Sequence, residues 1–599
     1  MNFLIRKSLF ISLSLFIYAQ SVSASETESL IKWQGWSNEA FETAKKENKN
    51  VILYLEAVWC HWCHVIDQNT YGKKEIADLV NANYIPIRVD QDSRPDLSAR
   101  YINWGWPATI FFNSKGEEIL KKAGYIPPEE MKQILIDLKK DPTPRKDYSV
   151  KYSIPEKSAL SPELKKALSI RYEKALDREK GGLDTATRNL DPDSIEYALY
   201  KAANGSEKDA LWVNSTLLAN LKLFDPEWGG VYQYSTHRGW DNAHYEKIMI
   251  SQERNMRLYA QAYKVFNDSA YLHAAKEVAR YIQNFLTSPE GAFYTSQDAD
   301  LVKGTKGIEY FKLSDKERRA KGIPAVDKNI YSRENGMMIR SLAILYGISN
   351  EKSYLDSATK AAQWIIDHRT KGRSGGYFHG DNDAGGPYLS DSLSMGHAFL
   401  ELYAVSGEKA WLYKAQNTAN FIVSNFVIGE LEGNRPGFYS SADNEGVFQE
   451  PRRDLNENIQ AARFLNLLSH YIGDPKFKTA ALHAMKFLAI PEVAKRTLTE
   501  PGILLADHEL ATDPLHLTVV GPKQDPKTEE LHAFARSYPI NYKRVDLWDK
   551  SEGPMINPDV QYPSLAKPAA FVCTENKCSL PLFTTKSLES TIKRLTKAE

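Results

Sequence analysis

The sequence predicts a multidomain chain: an α/β domain, then an all-α barrel of paired helices, then a small α/β segment. Three observations predict it. The chain has 599 residues, more than one hydrophobic core organises. Short apolar strands alternate with helices near the start, and long helices recur in pairs from about Ser161. Strand patterns return from about Leu515. The composition, 42% hydrophobic and 25% charged, is that of an ordinary globular protein. Lys+Arg and Asp+Glu both total 76, so no net field points to nucleic acid or an anionic membrane. The 32 tyrosines and 12 tryptophans suit a helical core, or clefts for carbohydrate or peptide.

Residues 1–24 read as a secretory signal peptide. Arg6 and Lys7 precede an apolar run from Ser8 to Ala19, and Val22-Ser23-Ala24 offers a small-x-small cleavage site. An uncleaved anchor is the alternative, disfavoured because the run is short for a bilayer. The mature chain then begins near Ser25 in an oxidising compartment, the periplasm if the source has two membranes. No other apolar run is long enough to span a membrane, so no stable insertion follows cleavage.

The first domain is expected over 25–142. "KNVILYLEAVW" is an apolar strand that ends at a Cys-x-x-Cys pair, and a helix is expected from Cys63 to Asn81. "YIPIRVD" follows as a strand, "PDLSARYI" as a short helix, and "ATIFF" opens a hairpin turned at Ser114-Lys115-Gly116. "PPEEMKQILIDLKK" closes the unit as a helix. This strand and helix order, with Cys60-x-x-Cys63 after the first strand and Pro107 before the third, is the thioredoxin arrangement. Residues 143–160, rich in proline and lysine, read as a linker.

Helix-turn-helix pairs fill 161–512. In "AQAYKVFNDSAYLHAAKEVA" and three similar segments, a polar turn precedes an aromatic residue (Tyr271, Tyr354, Trp411, Phe477) that opens the next helix. Six glycine-led segments recur between the pairs, at Gly181, Gly229, Gly291, Gly375, Gly437 and Gly502. Their spacing is too long and irregular for a short-repeat solenoid. Six hairpins with six equivalent loops suit a closed (α/α)6 barrel, an open helical array being the alternative. The segment 513–599 reads as a small α/β unit.

The four cysteines, Cys60, Cys63, Cys573 and Cys578, form two tight pairs and do not make a disulfide scaffold. A cysteine at the first turn of a helix faces free N–H groups and the positive end of the dipole, which favour thiolate. Cys60 is expected there as nucleophile, with Cys63 one turn on to resolve. His61, when protonated, would stabilise the Cys60 thiolate further. Trp59 and Trp62 would form an apolar collar, and Trp106-Pro107 would shape a groove beside the pair. Two alternatives are weaker: zinc held by Cys60, Cys63, His64 and Cys573 or Cys578, and a purely structural disulfide. No metal or cofactor is therefore expected. Cys573 and Cys578 suit a structural disulfide, a relay partner for the first pair being the sharper option.

The segments "IKWQGWSNEAFETAKKENKNVILYLEAVWCHWCHVI", "WGWPATIFF", "RGWDNAHYEKIMI", "SPEGAFYTSQDAD" and "AFVCTENKCSLP" resemble the thioredoxin-domain family of the spermatogenesis-associated protein type. The resemblance implies a thioredoxin-like domain joined to a barrel similar to six-hairpin glycosidases. The sequence departs from the family in Trp104-Gly105-Trp106-Pro107, where Gly-Gly-Trp-Pro is usual. Thioredoxin's buried acid six residues before its first cysteine is replaced by Tyr54, with Glu56 the nearest acid.

Glycoside hydrolysis needs two facing carboxyl groups. Candidates at the barrel mouth are His244, Glu246, Asp298, Asp300, Asp381, Asp383 and Asp443, with Trp240 placed to stack on a sugar ring. Turn and cap roles for the aspartates, and plain surface charge for Glu246 and Lys247, are the alternatives. The expected activity is thiol-disulfide exchange with a protein partner, the barrel binding substrate or partner. The alternative is a carbohydrate-active or carbohydrate-binding barrel with an accessory redox domain.

Overall fold

The strand "NVILYLE", β1 (Asn50–Glu56), is buried on both faces because helices cover both sides of its sheet. It pairs in parallel with β2 (Tyr84–Asp90) and antiparallel with β3 (Ala108–Phe112), which turns at Gly116 into β4 (Glu118–Ala123). The strand order is β2-β1-β3-β4. Around this sheet lie α1 (Asn38–Glu47), α2 (His61–Ile66), α3 (Lys74–Asn83), α4 (Pro95–Tyr101) and α5 (Pro128–Lys140). This is the thioredoxin-like arrangement. The expected long helix after the cysteines is broken in two: α2 widens into a π-turn over Asp67–Tyr71 and stops at Gly72, and α3 starts afresh. The computed structural model describes residues 29–144, 152–370, 372, 374–381, 385–442, 446–448, 451–557, 559–574 and 577–596. The expected signal peptide, part of the expected linker, and Asp383 and Asp443 lie outside these residues.

The helical region closes on itself. Its inner ring is α7 (Pro192–Ala203), α9 (Met249–Phe266), α13 (Ser332–Ser349), α15 (Leu389–Ser406), α17 (Leu455–Ile472) and α20 (Pro501–Ala511), which packs back on α7. The outer ring is α6 (Pro162–Ala175), α8 (Glu207–Asn220), α10 (Ser269–Phe285), α14 (Lys352–Arg369), α16 (Lys409–Asn425) and α18 (Pro475–Leu488). Twelve helices thus form an (α/α)6 barrel. Short helices α11 (Ile308–Phe311), α12 (Asp315–Lys321) and α19 (Pro491–Ala494) sit in its loops. Four hairpins share one turn: a left-handed residue (Asn267, Asn350, Gly407, Gly473) ends the inner helix, and the aromatic residue after it is drawn inward. The sixth glycine segment is not a loop, because Gly502 lies inside α20, pressed against Asp193 and Ile459. No helix among the described residues is long and apolar enough to cross a membrane.

Three short ladders at the barrel mouth position the site. They are β5 (Tyr234–Ser235) with β6 (Ala243–His244), and the sheet of β7 (Lys247–Ile248), β8 (Ser296–Gln297) and β9 (Val326–Asp327). The tail forms a second four-stranded sheet from β10 (Leu515–Val520), β11 (Lys543–Trp548), β12 (Ala569–Thr574) and β13 (Lys577–Cys578). Helix α21 (Pro526–Ser537) joins β10 to β11, and α22 (Thr585–Thr596) closes the tail. The order β11-β10-β12-β13, one parallel pair then two antiparallel, repeats that of the first sheet. Pro568 precedes Ala569 as Pro107 precedes Ala108, and Val520↔Ala569 corresponds to Leu55↔Ala108. The tail is a second sheet of thioredoxin-like topology without a cysteine pair at the start of its helix.

Candidate functional site

Cys60 caps α2: its Sγ accepts the Cys63 amide at 3.2 Å, and the two cysteines form a disulfide with Cα atoms 5.2 Å apart. Trp106, joined to Pro107 by a cis bond, packs against this pair with Trp62 and Ile248. Trp59 is buried and donates its indole N–H to Asp92 Oδ2 at 2.6 Å. Tyr54 lies under the helix and donates to the Cys63 carbonyl at 3.2 Å, with burial raising its phenol well above the usual range. The acids nearest beneath it, Glu56 and Asp67, are both held by Arg88. Burial pushes Asp67 up to about 6 against the pull of that guanidinium.

The pair is covered. Cys60 is 4% exposed and Cys63 fully buried, because the barrel closes over them. The collar expected to meet a partner meets the chain's own barrel, with Ile248 against the cysteine cluster and Lys306 over the Trp62 ring. His61 Nδ1 lies 2.9 Å from both oxygens of Asp300, and His64 Nε2 lies 2.9 Å from Asp298 Oδ2. The contact with Asp298 and the field of Asp300 raise His64 above the ordinary histidine range despite its burial. The free side of the loop is fixed by its own backbone: Asp298 Oδ1 accepts the Asp300 amide, and Asp300 Oδ2 accepts the Gly304 amide. The imidazole at 61 is thus engaged by the barrel.

Alternation along the strand splits "HYEK". Lys247 turns inward to Asp225 at 2.7 Å, and Glu246 turns toward the seam beside His61 and Asp298. Neither is solvated surface charge. Burial pushes Glu246 up to about 7, and its Oε2 has no hydrogen-bond partner. His244 stacks on Tyr234 at 4.3 Å, and burial beside His61 and Lys306 lowers it to about 4. The structure thus gathers His61, His64, His244, Glu246, Asp298 and Asp300 in one seam. Asp381 stands apart, exposed and paired with Arg369 at 2.9 Å. Trp240 is buried and donates to the Lys180 carbonyl, so it is not free to stack on a sugar.

Behind Trp59, Trp106 and Ile248 lies a cavity of about 850 Å³, which the thioredoxin-like domain roofs. The amino ends of all six inner helices reach it, and the acids there sit where helix dipoles favour negative charge. Its barrel acids are Asp193, Glu253, Glu334, Asp454, Glu457 and Glu500, joined by Asp92 from the thioredoxin-like domain, with Arg254, Arg340 and His397 among its basic groups. Burial raises Asp193 to about 7, and Glu457 and Glu500 to about 8. His397 Nε2 has no hydrogen-bond partner among the described residues, and burial with Arg340 nearby lowers its imidazole well below the usual range. Among the described residues, none of the mouth acids named from the sequence lines this cavity. The missed residues had a signal: α9 carries buried Ser251, Gln252, Glu253, Asn255, Arg257 and Gln261, far more polarity than an inner helix needs for packing. The second disulfide, Cys573–Cys578, joins directly opposed residues of β12 and β13.

Residues 19–140 match the family described as Thioredox_DsbH, protein of unknown function, DUF255. Spermatogenesis-associated protein 20 of Mus musculus is 27% identical over 307 residues, covering 45% of this chain and 39% of that protein. The chain thus matches about two fifths of the length of that relative. Thioredoxin H7 of Arabidopsis thaliana is 31% identical over 109 residues, 18% of this chain and 78% of that protein. Among solved structures, the cellobiose 2-epimerase of Bacillus thermoamylovorans covers 54% of this chain and 86% of its own, at 13% identity and a TM-score of 0.44. The likeness is thus to thioredoxin-like domains over the first part of the chain, with further sequence similarity to spermatogenesis-associated protein 20.

Proposed function

We propose, from a chain whose amino-terminal domain is thioredoxin-like, that Cys60 and Cys63 carry out thiol-disulfide exchange after export. One observation carries the reading: a cysteine pair at the first turn of α2, packed against Trp106, the residue that precedes Pro107. The Cys60 thiolate, favoured by the helix amino end, attacks a partner disulfide. A mixed disulfide forms and one partner thiolate leaves. Cys63 then gives up its proton and attacks Cys60 Sγ, which releases the second partner thiolate and oxidises the pair. Run backward, the same steps oxidise a partner dithiol. The partner is a protein thiol or disulfide that reaches the pair when the seam opens. To test this, the mature chain is reduced and mixed with a disulfide-bonded protein such as insulin. The rate with wild type should exceed background, and Cys60→Ser should return it to background. A wild-type rate equal to background sinks the reading.

A second reading rests on the cavity. Its size and its mixture of acids, arginines and two roofing tryptophans suit a polar small molecule, with carbohydrate as the class to try first. Saturable thermal stabilisation by a mono- or disaccharide, lost in Glu457→Ala, would support it. A full sugar panel without effect would remove it.

A further inference from the structure

The geometry points to a divalent transition-metal site at the seam between the two domains, formed by His64, Asp298 and Asp300, with the Glu246 carboxylate nearby. One donor atom from each of His64, Asp298 and Asp300 lies within 4.8 Å of the others. The 2.9 Å between His64 Nε2 and Asp298 Oδ2 matches the spacing of neighbouring ligands on an ion held at about 2.1 Å. All three residues are buried, as a site that excludes competing water requires.

Two further features point the same way. Glu246 is 3% exposed, lies near Asp298 and His61, and has a buried carboxylate oxygen with no hydrogen-bond partner, His244 Nδ1 standing 4.0 Å from it. A buried orphan acceptor is costly, and a cation would satisfy it. The aspartates are also held from behind. The Asp300 and Gly304 amides each take one oxygen, and His61 Nδ1 faces the Asp300 carboxylate, as outer partners hold ligands in metal sites. Three carboxylates meet three imidazoles here (His61, His64 and His244), with Lys303, Lys306 and His237 also near the seam. Imidazole with carboxylate suits zinc, iron, nickel or cobalt better than calcium or magnesium. An ion here would tie α2, next to the cysteines, to the Asp298–Gly304 loop of the barrel. The site uses no sulfur and is independent of the exchange reading.

The test uses the oxidised mature chain, whose cysteines are disulfide-bonded and cannot ligate. After chelation and dialysis, Zn²⁺ is titrated by calorimetry and Co²⁺ by visible absorption. One ion per chain is expected, with a Zn²⁺ X-ray absorption spectrum showing only nitrogen and oxygen neighbours, imidazole included. His64→Gln and Asp298→Asn should each weaken binding at least about tenfold, whereas Asp381→Asn should not. Where a variant fails to fold, the wild-type spectrum and the rise in wild-type Tm on adding Zn²⁺ decide. No stoichiometric binding, sulfur in the first shell, or full binding by a folded His64→Gln would overturn the site and leave two histidine–aspartate ion pairs that dock the domains.

Discussion

Cys60 and Cys63 differ in what surrounds them, and that difference assigns their roles. Cys60 caps the helix and accepts an amide, whereas Cys63 lies one turn deeper with no exposure. Cys63→Ser should therefore trap mixed disulfides through Cys60, visible by non-reducing electrophoresis, and Cys60→Ser should trap none. The cavity acids make a second residue-level prediction. Burial holds Asp193 protonated up to about 7, and Glu457 and Glu500 up to about 8, all above their unfolded values. The folded state thus binds more protons than the unfolded state between those values, so these acids favour folding at low pH. Their contribution is lost as pH rises through 7 to 8. The Tm should fall between pH 6 and 8.5, and Glu457→Gln should make that fall shallower. An unchanged slope would contradict the assignment.

Packing between elements covers the disulfide. The Asp298–Gly304 loop meets α2 through two histidine–aspartate contacts, and Gln68 donates to the Lys303 carbonyl. A double Asp298→Asn, Asp300→Asn variant should weaken this docking by about 1 kcal/mol and raise the open population about fivefold. The rate of reduction of Cys60–Cys63 by dithiothreitol should rise accordingly, and an unchanged rate would mean that the seam does not limit access. On another side of the domain Phe448 stacks on Trp36 at 5.3 Å and lies beneath Arg100. Phe448→Ala should cost about 1–2 kcal/mol in urea unfolding followed by tryptophan fluorescence. The cysteine pair, the proline and the helix hairpins were legible in the sequence because each is a local pattern. The pairing of His61 with Asp300 was not, since 239 positions separate them and only the closed barrel brings the loop back. "SQDAD" and "HYEK" were recognised as segments, but strand alternation decided which side chain faced the seam.

Across the whole molecule, two sheets of one topology flank a closed barrel, and only the first is followed by a Cys-x-x-Cys pair. The tail's cysteines staple a hairpin, so their disulfide belongs to local stability. Cys573→Ala with Cys578→Ala should cost about 2 kcal/mol, the value for so short a loop, and leave exchange at Cys60–Cys63 unchanged. A fall in exchange would instead make the second pair a relay. The repeat of the first sheet by the tail was not legible in the sequence because, beyond a Pro-Ala pair at the start of the third strand, only strand order and register repeat.

The most direct test of the central claim is the equilibrium potential of the Cys60–Cys63 pair in the mature chain, poised in glutathione buffers. Reversible exchange is expected within about −120 to −270 mV, the span of known oxidoreductases. A pair that does not exchange, or that stays oxidised well below about −300 mV as structural disulfides do, would contradict it.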